Sequence, residues 1–346
     1  MAHVKKFCLR LLVILAMSLV ATGVVAQSEP DIRITDIDLS AFPTVGVRLL
    51  TRDARSAPIT DLSGLVLHEN RAPIPDFDLG RVAVGTDIVL VLDANDTFLQ
   101  VDDDDGLTRR DKVAATVEQY ARQFMDPTGL DRVTVVTPDA SGSGVDILAE
   151  DVSTPQALAG IVADYQPVEP PRITPLNDML VAALDHLAAQ QDDGRFQAVL
   201  LFTDGGRLDQ QLAYQDLALA AQEAGVPIFG AILGATADPN EVASLERLAS
   251  PTRGQVVHLS EPAAADDIFQ LFQSQAQQTE ARYQSLVRRG GEVDVSAALG
   301  NTRTTGSFTL ELVQPVLTLD IPDTTLRRVG SAIDSPSHCC NRLFIH

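Results

Sequence analysis

The spacing of apolar and polar positions divides the chain into three parts. From about residue 86 to 283, continuous apolar runs alternate with segments whose apolar residues recur every three or four positions. Runs such as 88–92 and 198–202 are typical of strands buried on both faces. Segments such as 176–187 are typical of helices with one buried face. The alternation predicts an α/β fold, a doubly wound and mainly parallel sheet with helices on both sides.

The individual elements of this central part follow from the same pattern. Apolar runs predict strands over 88–92, 133–136, 145–148, 198–202, 226–233 and 255–259, of which 145–148 is expected at an edge. Helical spacing predicts helices over 113–124, 176–187, 212–224, 242–248 and 268–277. Gly225 is expected to end the helix that precedes it. Ligands of such sheets bind at the carboxyl ends of the strands.

The flanking parts have the texture of small β units. In the stretch 31–80, Val45, Val47 and Leu49 alternate with other residues, as in a half-buried strand. Alternation returns after residue 283. The two β units are expected either to pair with each other, which would make the central domain an insertion, or to fold separately.

The first residues have the three-part pattern of an export signal. Lys5, Lys6 and Arg10 precede the apolar run 11–26, which ends in small residues. We therefore predict a signal peptide over 1–26 and a secreted or extracytoplasmic location. An uncleaved membrane anchor is the alternative, and membrane contact is expected only through this segment.

The rest of the chain is divided accordingly. We predict an N-terminal β unit over 27–84, the α/β domain over 85–281 and C-terminal β strands over 282–322. The stretch 323–346 is predicted to be an irregular tail. Its abrupt end around Cys339 and Cys340 is typical of a truncated or frameshifted sequence.

Composition excludes several classes of function. The 346 residues include 26 Lys and Arg against 47 Asp and Glu, a formal net charge of −21 that repels phosphates and argues against nucleic acid as a partner. With 3 Cys the chain cannot form a disulfide framework. The phosphate-binding loop, the zinc-binding helix and the nucleophile elbow of hydrolases have no counterpart in the sequence, so we do not expect an enzyme. His186 and His258 are expected to have structural roles.

The informative residues lie where predicted strands end. Asp93, Asn95 and Thr97 follow the first central strand, Thr174 precedes a helix, and Asp204 follows the strand 198–202. Carboxylate, amide and hydroxyl oxygens are the ligands that hard divalent cations prefer. Their predicted convergence at one sheet edge indicates a site for Mg²⁺, or for Mn²⁺ or Ca²⁺. The structural alternative is that these groups only cap and close turns.

These residues resemble the metal-ion-dependent adhesion site of von Willebrand factor type A (vWA) domains. The family has Asp-x-Ser-x-Ser after its first strand, a Thr in a later loop and an Asp in a Thr-Asp-Gly turn. Here Asp93, Asn95 and Thr97 match the first element, Thr174 the second and Asp204 the third. The resemblance covers about 86–281. The flanking β units are similar to those of bacterial secreted proteins with such domains.

The resemblance implies an extracytoplasmic protein-binding or adhesion module. Its cation would engage a carboxylate on an acidic residue of a protein partner. The alternative is a metal-independent structural or assembly component of a cell-envelope complex with a vestigial site. Asn95 in place of Ser and the long acidic loop over the site favour this alternative.

The run Asp102 to Asp105 before Gly106 suggests calcium at first sight. An EF-hand loop needs further acids, but Val101 and Lys112 stand at its first and last ligand positions. We interpret the run as a solvated acidic loop.

Overall fold

The computed structural model describes residues 31–102, 106–168, 174–190, 194–206, 208, 212–234, 238–311, 327–329 and 332–334. The predicted signal segment 1–26 and the adjacent Cys339 and Cys340 lie outside the described residues. Among the helices of the described part, none is both long and apolar enough to span a membrane.

The elements of the described chain are as follows. The strands are β1 (Asp31–Asp38), β2 (Thr44–Arg52), β3 (Leu65–Glu69), β4 (Ala72–Ile74), β5 (Asp78–Ala83), β6 (Thr86–Leu92), β7 (Arg132–Pro138), β8 (Val145–Val152), β9 (Phe196–Thr203), β10 (Ile228–Ile232), β11 (Val256–His258), β12 (Gln277–Gln284), β13 (Gly291–Leu299), β14 (Thr302–Leu310), β15 (Arg327–Val329) and β16 (Ala332–Asp334). The α-helices are α1 (Arg109–Gln123), α2 (Pro155–Asp164), α3 (Leu176–Ala189), α4 (Tyr214–Ala224), α5 (Pro239–Ala249) and α6 (Asp266–Gln275).

The central domain is built on a six-stranded sheet in the order β11-β10-β9-β6-β7-β8. Neighbouring strands are parallel except for β8, which lies antiparallel to β7 at the edge. The predicted mainly parallel sheet is therefore confirmed, as is the edge position of the strand that begins at Val145. Helix α2 was not predicted. Its signal is Pro155 at the first helical position, with Leu158 and Val162 buried one turn apart.

Helices cover both faces of this sheet. The first face packs α1, α2 and α6 against one set of strand residues, and the second packs α3, α4 and α5 against the alternate set. In β6, for example, Leu90 and Leu92 belong to the first core and Val89 and Val91 to the second. This period-2 division explains why the central strands have continuous apolar runs.

The N-terminal and C-terminal strands form one β-sandwich. One sheet has the order β1-β2-β12-β5 and the other β14-β13-β3-β4, so strands from both ends of the chain pair within each sheet. Val45, Val47 and Leu49 of β2 are buried between the two sheets. The α/β domain is thus inserted into the sandwich.

Three details differ from the prediction. Strand β12 extends across the boundary drawn at 281 and pairs wholly within the sandwich. The helix predicted over 268–277 ends at Gln275 because this pairing begins at Gln277. In the stretch 323–346, which was predicted to be irregular, β15 and β16 form a short antiparallel pair.

The strand order places a crevice between β6 and β9. The chain leaves β6 toward β7 on one side, whereas β9 and β10 lie on the other, so β6 and β9 meet where the strand order reverses. Open α/β sheets bind their ligands at this position, beyond the carboxyl ends of the strands. Asp93 follows β6 and Asp204 follows β9, so both lie at this crevice.

Candidate metal centre

Asp93 is held rigidly at the carboxyl end of β6. Its backbone N–H donates to the Phe202 carbonyl at 2.9 Å, which extends the pairing with β9 by one residue. The side chain is buried, with the residue only 1% exposed. One carboxylate oxygen accepts a hydrogen bond from the Thr174 hydroxyl, and the other accepts one from the Thr203 hydroxyl at 2.7 Å. The carboxylate is therefore fixed from two sides.

Asn95 and Thr97 belong to a tight turn that starts directly after β6. Asn95 is the N-cap of the 3-10 turn Asp96–Leu99, and its Oδ1 accepts the Thr97 backbone N–H at 2.9 Å. Its Nδ2 faces the near oxygen of Asp93 at 3.4 Å. Phe98 is fully buried beneath the turn and anchors it to the first core. The capping role expected of such residues is thus present.

Thr97 joins this turn to the neighbouring strand. Its hydroxyl oxygen lies 2.6 Å from Asn95 Oδ1 and 2.5 Å from Asp204 Oδ2. A hydroxyl carries one proton, so it can donate to only one of these acceptors at a time. The oxygens of Asn95, Thr97 and Asp204 therefore form a cluster of acceptors that this one hydroxyl proton cannot satisfy.

Asp204 and Thr174 complete the group. The Gly206 backbone N–H donates to Asp204 Oδ1 at 2.9 Å, which leaves Oδ2 facing Thr97. Thr174 lies two residues before the start of α3 and is almost fully buried. All five residues predicted from the sequence are thus linked by side-chain contacts in the order Thr174, Asp93, Asn95, Thr97 and Asp204.

The electrostatics of the group are unfavourable for two ionised carboxylates. Burial, followed by the negative charge of Asp204, raises the pKa of Asp93 to about 7. The hydroxyl donors Thr174 and Thr203 act in the opposite direction but do not cancel the effect of burial. Glu241, in the first turn of α5, also has a raised pKa, because of burial and the nearby charges of Asp238 and Asp204.

Three nearby residues were not predicted from the sequence. Thr203 is the last residue of β9 and directly precedes Asp204. This position could have indicated that its hydroxyl lies at the same sheet edge. Glu241 packs against Gly205, whose φ is +81°; a Cβ at Gly205 would lie 2.9 Å from the Glu241 Cβ. Arg109 places its Nη1 atom 3.6 Å from Asp204 Oδ2. Neither Glu241 nor Arg109 lies in a motif that would bring it to this edge.

The acidic loop differs in part from its prediction. Asp102 is not solvated, because its side chain is only 8% exposed. Both of its oxygens accept from the Arg109 guanidinium, from Nε and from Nη2, each at 2.8 Å. Residues 103–105 lie outside the described residues.

The donor set fits a hard divalent cation. It offers two carboxylates, two hydroxyls and an amide oxygen within one connected group, and no sulfur or imidazole ligand belongs to it. Mg²⁺, Mn²⁺ and Ca²⁺ all accept such oxygens. A divalent cation would also supply positive charge where burial and mutual repulsion oppose ionisation of the carboxylates.

A second group of possible metal-ligating side chains lies on β8 and α3, where ligand atoms of Glu150, Asp151 and His186 are within 4.8 Å of one another. His186 Nε2 also lies 3.0 Å from the Thr134 hydroxyl, a contact in accord with the expected structural role. His258 Nε2 lies 2.9 Å from the Gly234 carbonyl.

The chain is similar to solved structures of low sequence identity, one of which is a VWA domain. The crystal structure of the SpRpn10 VWA domain is similar to this chain with a TM-score of 0.39 and 14% sequence identity, over 51% of this chain and 88% of that one. No protein-family model matches the chain, and a search of curated proteins finds no match.

Proposed function

We propose that this chain is an extracytoplasmic binding module that holds a divalent cation and, through it, a carboxylate of a protein partner. Asp93, Asn95, Thr97, Thr174 and Asp204 would hold the cation, directly or through water. The cation would supply a Lewis-acidic position for the partner's oxygen. The protein's own contribution is to fix the oxygens and to limit the access of water.

One observation supports this proposal above the others. Five oxygen-bearing residues from three separate segments form one chain of side-chain contacts at the point where the strand order reverses. Turn capping explains the contacts of Asn95, but it does not explain why the buried Asp93 lies close enough to a second carboxylate, Asp204, for the charge of Asp204 to raise its pKa. Such a pair raises the energy of the ionised state unless positive charge is supplied.

The metal-independent function has its own support. Arg109 lies beside Asp204 and supplies one positive charge without any cation. The hydroxyl and amide donors around Asp93 also satisfy its hydrogen bonds. In this second proposal the chain is an assembly component of the cell envelope, and its site is vestigial.

A titration of Mg²⁺ and Mn²⁺ followed by calorimetry separates the two functions. We expect saturable binding by the purified protein and its loss in Asp204→Ala. Asp185→Ala is the matched control, because Asp185 is an exposed acid on α3. Thermal unfolding in EDTA establishes that both variants fold. Binding that persists in Asp204→Ala, or no saturable binding by the parent chain even at the highest cation concentration that calorimetry allows, would contradict the metal-dependent function.

The open coordination position is tested separately with Mn²⁺. Bound Mn²⁺ relaxes the protons of its water ligands. We expect a peptide with one Asp to replace a water and to lower this relaxation, and the matched peptide with Asn to leave it unchanged. Equal effects of the two peptides would refute carboxylate recognition.

A further inference from the structure

Arg109 is fixed between the acidic loop and the candidate site. Its Nε and Nη2 atoms donate to Asp102, and its Nη1 atom faces Asp204 Oδ2 at 3.6 Å. The side chain is 15% exposed. A guanidinium presents its donors in a fixed plane, so pairing one side with Asp102 orients the other side toward Asp204.

The backbone around Arg109 is equally well defined. Thr108 and Asp111 form a capping box at the start of α1, and the Arg109 N–H donates to the Gln100 carbonyl at 3.0 Å. A positive charge in the first turn of a helix is unfavourable with respect to the helix dipole. The helix itself therefore does not account for an arginine here, whereas the two carboxylates do.

A cation bound by Thr97 and Asp204 would approach the same oxygen that faces Arg109. Two positive charges near one carboxylate oxygen repel each other, and the repulsion is strong where water is largely excluded. Asp204 is only 10% exposed at its side chain, so screening by solvent is limited. Cation binding and the Arg109 contact therefore oppose each other.

We infer that Arg109 is a built-in counter-cation that competes with the divalent cation for Asp204 and so sets the affinity of the site. This inference rests on the proposed metal-binding function. Its consequence is a site that fills only at high cation concentration or when a partner carboxylate adds a further ligand.

The neighbouring Arg110 provides a matched control. It has the same charge and follows Arg109 in α1, but its Nε donates to the Tyr165 carbonyl at 2.8 Å and its guanidinium lies over the Tyr165 ring. Replacing it changes the net charge by the same amount without touching the Asp204 contact. A general effect of net charge would change the cation affinity of both variants. Competition for Asp204 would change the affinity of Arg109→Gln alone.

The experiment compares Mn²⁺ and Mg²⁺ binding by the parent chain, Arg109→Gln and Arg110→Gln, with Asp204→Ala as the blank. We expect Arg109→Gln to bind at least tenfold more tightly than the parent and Arg110→Gln to bind within twofold of it. In EDTA, Arg109→Gln should unfold at a lower temperature than Arg110→Gln. Saturating Mg²⁺ should raise the unfolding temperature of Arg109→Gln by more than that of Arg110→Gln.

Each other result overturns the inference. If the parent chain and Arg109→Gln bind equally and Asp204→Ala does not bind, the metal site stands and the competition is refuted. If neither binds, the metal-binding function is refuted as well. Should Arg109→Gln fail to fold, the double variant Asp102→Asn/Arg109→Gln tests the same point. It removes the guanidinium without leaving the Asp102 carboxylate buried and unpaired, and it should also bind the cation more tightly than the parent.

Discussion

Replacing Asp93 by Asn should stabilise the cation-free protein while it abolishes cation binding. The substitution keeps the size and shape of the side chain and removes its charge. Asp93 is buried beside Asp204, and these two factors raise its pKa to about 7 from an ordinary value of 3.8. Ionised Asp93 therefore opposes folding at neutral pH, and a neutral amide at this position would not.

The magnitude follows from the pKa. One pKa unit corresponds to about 1.4 kcal/mol, so the difference between 3.8 and about 7 corresponds to about 4 kcal/mol. Asp93 accepts from Thr174 and from Thr203 through different oxygens. Asn has one acceptor oxygen, so one of these hydroxyls must turn to accept from the amide NH2, a loss of about 1 kcal/mol. The expected net gain in the free energy of unfolding is about 3 kcal/mol at pH 8.

The gain in stability from Asp93→Asn must increase with pH. The folded chain holds a proton on Asp93 that the unfolded chain releases above pH 4, so the parent is most stable below pH 4 with respect to this group. This contribution is lost as the pH rises through about 7. Asp93→Asn should thus be slightly less stable than the parent at pH 4 and clearly more stable at pH 8.

Urea unfolding in EDTA at pH 4 to 8, followed by circular dichroism, measures the effect. Asp111→Asn is the control of opposite sign, because a hydrogen bond from Thr108 lowers the pKa of Asp111. Its variant should lose stability at pH 8 rather than gain it. A difference between Asp93→Asn and the parent that does not grow with pH would refute the assignment of a buried, destabilised carboxylate.

Two further substitutions test the geometry of the centre. Thr174→Ala removes one proposed oxygen ligand and a hydrogen-bond donor to Asp93, and it should weaken Mn²⁺ binding by about tenfold. Thr174→Ser keeps the hydroxyl and should retain the affinity. Equal affinities of the two variants in calorimetry would show that the hydroxyl is not a ligand. Gly205→Ala forces a side chain into a backbone with φ +81° and against Glu241, and should cost about 1–3 kcal/mol in urea unfolding. Gly80→Ala is the control, because a Cβ at Gly80 would meet nothing within 4 Å, and equal costs would contradict the strain.

The sequence allowed most of the α/β domain to be predicted because burial on both faces leaves a one-dimensional signal. Strands β6 and β9 each contain a continuous apolar run of five residues, and Gly225 ends α4 with φ +68°, as expected. Helix α2 was missed because its buried residues are Leu158 and Val162. Two buried positions in ten residues leave only a weak helical periodicity. The pairing of the two β units remained open because cross-strand pairing between distant segments leaves no periodicity in either one.

The candidate site shows a similar division. Residues that follow strands could be placed at one edge from topology alone, and the structure brings all five together. Arg109 and Glu241 could not be placed, because each reaches the edge from the first turn of a helix. Their positions depend on loop lengths and helix packing rather than on a local motif. The buried state of Asp102 was missed for the same reason, since its partner is set by the fold.

The two carboxylates at the crevice can be neutralised in three ways, and all three would act at one point. A proton can reside on Asp93, whose pKa is about 7. The guanidinium of Arg109 faces Asp204. A divalent cation, bound as proposed, would share the same oxygens. These three sources of positive charge exclude one another in part, since each reduces the negative charge that attracts the others. A bound cation would therefore have to displace a proton from one carboxylate and the arginine from the other. The affinity of the proposed site would therefore be set as much by Arg109 and by pH as by the five proposed ligands. A set of residues that matches the sequence pattern does not by itself determine whether such a site fills.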